Sequence, residues 1–391
     1  MRVPMRRTLT VVFVACITSG LSTPAWAYPP DPDNAALIYY QAFLLCEPLE
    51  TAEKDALSDF AHGEIELTEQ IRRSVEGCRT GIDYAIAAAA MRQCNWGFRF
   101  SLGFNASMPH LAQLRFLARV IVADARVLAA DGLWREAIER CLTVKRVAQH
   151  TGDDTLISML VAGSVDRLAN DCLRDLLGRM PADRKVLQWL KAELAVLSGK
   201  LPTAQRAMEH EREVAMETMR PENRHKFVAI FEGTDIQITP EQLAKMDEDF
   251  LAHNRKRYSE FVTSLETILG GASTYEQRYR KLAQLTDRMQ TLAASDESAV
   301  LTAAFAPGFA GVYNRQVLVE AVANATQAAV DVYLARAEAG RLPTTLPAGL
   351  LKDPFSGEDF EYERTDDGFL LRCRGKDLAK DEVHEYAFTA K

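Results

Sequence analysis

The chain has 391 residues, 48% hydrophobic and 26% charged, with 54 acidic against 46 basic side chains and a formal charge of −8. An acidic balance with no local basic cluster repels phosphate backbones and anionic lipid surfaces, which sets nucleic-acid binding aside. Length and apolar content suffice for a sizeable core in one large or two moderate domains.

Residues 1–27 read as a secretory signal peptide. Arg2, Arg6 and Arg7 precede an apolar run from Leu9 to Ile17, and Ala25-Trp26-Ala27 closes on a small-residue cleavage pattern. The run is too short for a stable membrane span, and no later segment is apolar for long enough. The expected mature chain is therefore exported, periplasmic or extracellular, without a transmembrane segment. Lipid anchoring through Cys16 is disfavoured, because Phe13-Val14-Ala15 is a poor lead to a lipidated cysteine. Cleavage removes three arginines and no acid, taking the formal charge from −8 to −11.

Residues 28–340 carry helical periodicity. Asp31 or Asp33 is placed as a cap before Ala35, and Pro48 closes the first helix, whose apolar residues nearly encircle it and predict full burial, with Tyr39, Tyr40 and Phe43 in the core. Shorter helices follow over 51–60 and 67–77, then the alanine-rich "GIDYAIAAAAMRQ". After the loop "QCNWGFRFSLGFNASMPH", Pro109 starts a long helix with Leu111, Leu114, Ala118, Ile121, Ala125 and Leu128 on one face and Arg115, Arg119 and Arg126 opposite. Gly132 ends it, a returning helix closes at Gly152, and a third, capped by Asp153 or Asp154, runs to Pro181. On that third helix Asp166, Arg167 and Asn170 line either a groove or, more simply, a solvated face. Residues 181–271 stay helical but more charged, punctuated by Pro202, Pro221 and Pro240 with Thr239 as a cap; another helix follows, and a break near 306–311 precedes the last.

Residues 341–391 change character. Phe360 and Tyr362 alternate with acids, Asp366-Asp367-Gly368 signals a turn, and Phe369, Leu371 and Cys373 alternate on the return, giving a β-hairpin with a third strand near His384 to Phe388. The expected architecture is mainly α: an irregular array of antiparallel helical hairpins, with a small antiparallel β tail seated on the preceding helix.

Beyond Cys16, six cysteines remain, an even number that permits disulfides in an exported chain. A continuous helix over 81–93 would hold Cys78 and Cys94 about 20 Å apart, too far to bridge. Cys46 with Cys78 or Cys94, and Cys141 with Cys172, stay open, as do buried thiols.

The segment "VLAADGLWREAIERC" resembles the turn of a tetratricopeptide repeat, through Gly132, Trp134, Glu136, Ala137 and Ile138, which marks a helical hairpin near 109–152. The tail, with "GRLP", "DPFSG", "FEY" and "DDGFLLRCRGKD", resembles the C-terminal region of type II secretion pseudopilins over about 50 residues. The membrane-spanning methylated helix of that family has no counterpart here, so pilus assembly does not carry over. Calcium binding after the last strand, known in several pseudopilins, would fall to Asp377 and Asp381. The whole order of pieces resembles a group of uncharacterised exported bacterial proteins, a likeness that implies fold and compartment.

No zinc-protease helix, nucleophile elbow, phosphate loop, dinucleotide fingerprint or EF-hand loop occurs, and no two histidines lie three or four apart. No cofactor is implied. The loop 93–110 is the best candidate for chemistry: Trp96 and Phe98 as a stacking surface, Arg99 as an anion anchor, His110 as a neutral imidazole in the first turn of a helix, and Arg115 on the same rim. Against it stands a packing account, with Trp96, Phe100 and Phe104 as anchors between helical layers and Gly97 and Gly103 permitting bends. The expected function is an exported scaffold that binds a protein or peptide partner through a groove of helical hairpins; the alternative is an envelope enzyme acting on a glycan or peptide with this loop as its platform.

Overall fold

A computed structural model describes residues 31–152, 155–226, 246–305 and 308–390, so the signal-peptide segment and the Thr239 cap lie outside the described residues. The chain is mainly helical with a three-stranded antiparallel sheet at its C-terminal end, and residues from Asn34 on form one compact unit. In chain order come α1 (Ala35–Leu45), α2 (Thr51–His62), α3 (Glu69–Gly77) and α4 (Arg79–Ala89). After a 3-10 turn over Phe100–Asn105 follow α5 (Pro109–Ala130), α6 (Trp134–His150), α7 (Leu156–Arg179), α8 (Arg184–Leu197) and α9 (Ala204–Thr218). The last helices are α10 (Glu248–Gly270), α11 (Tyr275–Ala293), α12 (Val300–Phe305) and α13 (Phe309–Ala339), ahead of β1 (Glu361–Thr365), β2 (Gly368–Arg372) and β3 (Glu385–Thr389).

Short polar side chains set the helix starts. Asn34, Thr68, Thr155, Asp183, Thr203, Asp247 and Thr274 each accept an N–H that the first helical turn leaves without a partner. The caps expected at Asp31 or Asp33 and at Asp153 or Asp154 thus fall to Asn34 and Thr155. In both places the side chain directly before the first helical residue takes the bond.

The helices α5, α6 and α7 pack on one another as antiparallel neighbours joined by short turns. Leu114, Ala118, Ile121 and Ala125 of α5 are wholly buried, as their spacing predicts. Its arginine face is not uniform: Arg115 is exposed, but Arg126 turns inward, where Nε donates to the Ala61 carbonyl at 3.0 Å and Nη2 meets Asp175 at 2.7 Å. Between α6 and α7, Lys145 Nζ lies 2.7 Å from Asp166 Oδ1 and 3.0 Å from Asn170 Oδ1, and all three residues are buried. Asp166 and Asn170 therefore line neither a groove nor a solvated face. A buried charge survives only when paired and fully bonded, and Lys145, which sequence offers no reason to place inside, is the partner.

The first helix also departs from its pattern. Ala35, Ala36, Tyr39 and Ala42 face α4 and the core, but Leu37, Tyr40 and Leu44 are exposed, Leu44 by 84%. Small residues let α1 and α4 approach closely, so only one stripe is covered. Tyr40 accordingly sits at the surface instead of in the core.

The longest helix, α13, packs on α7, α8 and α11. The stretch ending at Ala339 is long and apolar enough, by length and composition alone, to cross a membrane, and 61% of its most apolar window is buried within the fold. The sheet runs β1-β2-β3, with Thr365 opposite Gly368, Phe369 opposite Phe388 and Leu371 opposite Tyr386. Its inner face is the predicted alternation: Phe369 stacks on Phe388 with ring centroids 5.0 Å apart. The sheet sits on α7 as well as on the preceding helix, through β3.

Cys46 follows α1, whereas Cys94 lies beside its start, where Ala35 N–H donates to the Gln93 carbonyl at 2.8 Å and Asn34 bonds Asn95 at both ends. The helix rise puts about 16 Å between those ends, which excludes a Cys46–Cys94 pairing.

Candidate functional site

The aromatic centre of the loop 93–110 is closed. Trp96 is 7% exposed and His110 5%; their rings stack 4.6 Å apart at 11°. Tyr39 stacks on the indole at 5.6 Å, Tyr40 meets it edge-on at 5.6 Å and Phe43 lies parallel at 6.4 Å. The indole Nε1 donates to the His150 carbonyl at 2.6 Å, and the Tyr39 hydroxyl is 3.0 Å from His150 Nδ1. The glycines adopt the left-handed region that the bends need, Gly97 at φ 70° and Gly103 at φ 57°.

Burial lowers the His110 imidazole to about 4 and also lowers His150. His110 is thus neutral through the physiological range, as expected, but desolvation against the indole is the cause. Arg99 and Arg115 are exposed and Phe98 is half-buried. The structure brings Trp96 and His110 together and leaves both arginines outside their contact. Burial accounts for the His110 shift with no charged side chain contributing, so no described carboxylate orients the ring for acid-base work.

The tail motif is also consumed internally. Asp353, fully buried, accepts the Phe355 N–H at 2.9 Å, the Ser356 hydroxyl at 2.7 Å, and the Arg374 and Gly375 N–H groups at 2.9 Å each. The carboxylate therefore shapes the "DPFSG" loop and ties it to the end of β2. Asp377 is equally buried: Oδ1 accepts from Ala379 and Lys380, and Oδ2 lies 2.9 Å from His384 Nε2. Asp381 points instead to Lys376, at 2.6 Å. The side chains that gather at Asp377 are Glu382 and His384, so the pair Asp377 and Asp381 does not form a shared set of ligands. Hard cations need six or more oxygens, and the Asp377 oxygens are already engaged.

An open cleft of about 530 Å³ lies elsewhere, between the start of α11, the first turns of α13 and the "DPFSG" loop. Tyr275, Gln277, Arg278, Tyr313, Gln316, Glu320, Pro354 and Ser356 are among its walls. Arg278 is its fixed cation: Nη1 donates to the Tyr313 hydroxyl at 2.9 Å and Nη2 to the Gly271 carbonyl at 2.8 Å, while buried Nε has no described partner. Those bonds use two of the five guanidinium N–H groups. Burial raises the Tyr313 hydroxyl, and the Arg278 cation opposes the shift. Glu320 sits at the open rim.

The cleft walls are braced. Tyr275 donates to Asn314 Oδ1, accepts the Leu378 N–H at 3.0 Å, and meets Phe355 edge-on at 4.8 Å. A second cavity, about 520 Å³, takes Ser101 from the loop together with Glu213, Glu217, Arg220 and Arg255. Arg220 is already paired there with Glu217 at 2.9 Å.

Sequence reading missed Arg278, Tyr313 and Glu320. Arg278 alone has a local signal, "STYEQRYRK", a run of aromatics and cations on an ordinary amphipathic helix, and its meeting with Tyr313 joins segments 35 residues apart. The chain matches no protein-family model, no curated protein and no solved structure.

Proposed function

We propose that this chain is an exported helical scaffold of the cell envelope that binds a peptide segment of a protein partner. The observation that carries this reading is the α11/α13/tail cleft: a braced, open groove of about 530 Å³ with one anchored guanidinium, two tyrosines, neutral amide and hydroxyl groups, and one carboxylate, Glu320, at its rim. Such a mixture matches the carboxylate and amide groups of an extended peptide. The signal-peptide pattern and the acidic balance support the compartment and the absence of nucleic acid. The enzyme alternative draws no support from the loop 93–110, whose indole and imidazole are buried against each other.

The test is a random-peptide display library panned on the purified mature protein. Enriched peptides should carry a carboxylate, and Arg278→Ala should weaken their binding at least about tenfold, the scale of one charge-assisted hydrogen bond. Enrichment of peptides indifferent to Arg278→Ala and to a cleft-filling Gln316→Trp would overturn the reading.

A further inference from the structure

Four of the six described thiols fall into two neighbouring pairs, each between two helices that pack on one another. Cys46 closes α1 and Cys78 opens α4. Their backbones are held together by the Glu47 N–H, which donates to the Gly77 carbonyl at 3.2 Å. A methyl group placed on Gly81 would lie 2.8 Å from Cys46 Sγ and 2.8 Å from the Ala42 carbonyl, so the sulfur occupies the space that only glycine leaves beside the start of α4.

The second pair follows from the register of α6 on α7. Lys145 reaches Asp166 and Asn170. In an antiparallel pair, one turn back along α6 corresponds to one turn forward along α7, which sets Cys141 opposite Cys172. Both are fully buried. The neighbouring sulfurs also act on one another's titration: Cys46 first and burial second push Cys78 up, burial first and Cys172 second push Cys141 up, and each partner draws Cys46 and Cys172 down.

We propose that Cys46–Cys78 and Cys141–Cys172 are two intramolecular disulfide sites, formed as the chain folds in an oxidising compartment. All six described cysteines are thiols in the structure. The oxidant is a disulfide of a thiol oxidoreductase or of glutathione. A protein thiolate attacks one sulfur and releases the first thiol; the partner thiolate then attacks the mixed disulfide and releases the second. Two protein thiols lose two protons and two electrons, and the incoming disulfide becomes two thiols.

Each bond closes a loop of about 30 residues, long enough for a substantial restriction of the unfolded chain. Cys141 and Cys172, being wholly covered, must react before α6 and α7 close. Cys46 is only half-buried and stays reachable in the folded chain. The pairing itself is independent of the compartment; only the supply of oxidant rests on the reading of the chain as exported.

The experiment has two arms, each read by intact mass and non-reducing peptide mapping. In the first, the full chain is expressed in a bacterial host and recovered from the envelope. In the second, the mature chain is unfolded, reduced and refolded with glutathione and its disulfide. The expected product is about 4 Da lighter than the reduced chain, one hydrogen lost per thiol, with peptides linked 46–78 and 141–172. Its urea midpoint should be higher than that of the reduced protein, and Cys46→Ala and Cys141→Ala should each remove part of that difference while leaving the reduced midpoint close to the wild type. Links in the refolding arm with a chain retained in the cytoplasm would uphold the pairing and overturn export. Refolded protein without these links, or with Cys46 joined to Cys94, would overturn the pairing.

Discussion

Two regions of this chain invite comparison: the aromatic elbow at 93–110 and the cleft walled by α11, α13 and the tail. The elbow carries the conspicuous residues, and its aromatic centre is shut, with Trp96 stacked on Tyr39 and His110 and its one polar atom bonded to the His150 carbonyl. The cleft is built from unremarked residues, and it is open, with a guanidinium fixed by two bonds and N–H groups to spare. Aromatics and glycines clustered in one stretch mark a place where helical layers meet. A binding groove arises where separate segments leave a gap, and its residues look ordinary one at a time.

The largest effect that would break this contrast concerns Trp96. Trp96→Ala removes a ring packed on four others and leaves the His150 carbonyl without its donor, and should cost about 4 kcal/mol in urea unfolding. A loss below about 1 kcal/mol would mean the elbow is not a packed joint. Next comes the cleft wall: Asp353→Ala strands one buried and two part-buried N–H groups and should cost about 3 kcal/mol, with hydrogen exchange speeding up across 353–390 and not across 93–110.

A pH profile sharpens the elbow further. The folded state holds His110 at about 4, so it refuses a proton that the unfolded chain takes below its ordinary value near 6.5. Stability is then full above pH 6.5, falls as pH drops toward 4 and levels off below, by up to about 3 kcal/mol. His150, also lowered by burial, acts in the same direction. Urea unfolding of His110→Gln should show a shallower slope between pH 4 and 6.5 than the parent; an unchanged slope would place the titration elsewhere. Smallest of all, Arg99→Ala and Arg115→Ala at exposed positions should each change stability by less than about 0.5 kcal/mol.

Much of the fold was legible because it rests on local rules. The spacing of Leu114, Ala118, Ile121 and Ala125 marked the buried face of α5, and the alternation of Phe369 and Leu371 marked the inner face of the sheet. Local rules misled where a neighbour was needed to complete the physics. Arg126 and Lys145 look like surface cations until Asp175, Asp166 and Asn170 supply partners from another helix. Leu37, Tyr40 and Leu44 look buried until the small residues of α1 and α4 draw the two helices together along a single stripe. The elbow was legible in its packing account, through Trp96 and the two glycines. The cleft was not, since Arg278 acquires meaning only from Tyr313, Glu320 and a loop that Asp353 folds into place.

Hydrogen exchange with and without a library-selected peptide tests the central claim most directly, since it reads both regions at once. The account predicts new protection over 271–278, 313–320 and 354–357, with 93–115 unchanged. Protection confined to 93–115, leaving the cleft segments as they were, would contradict it.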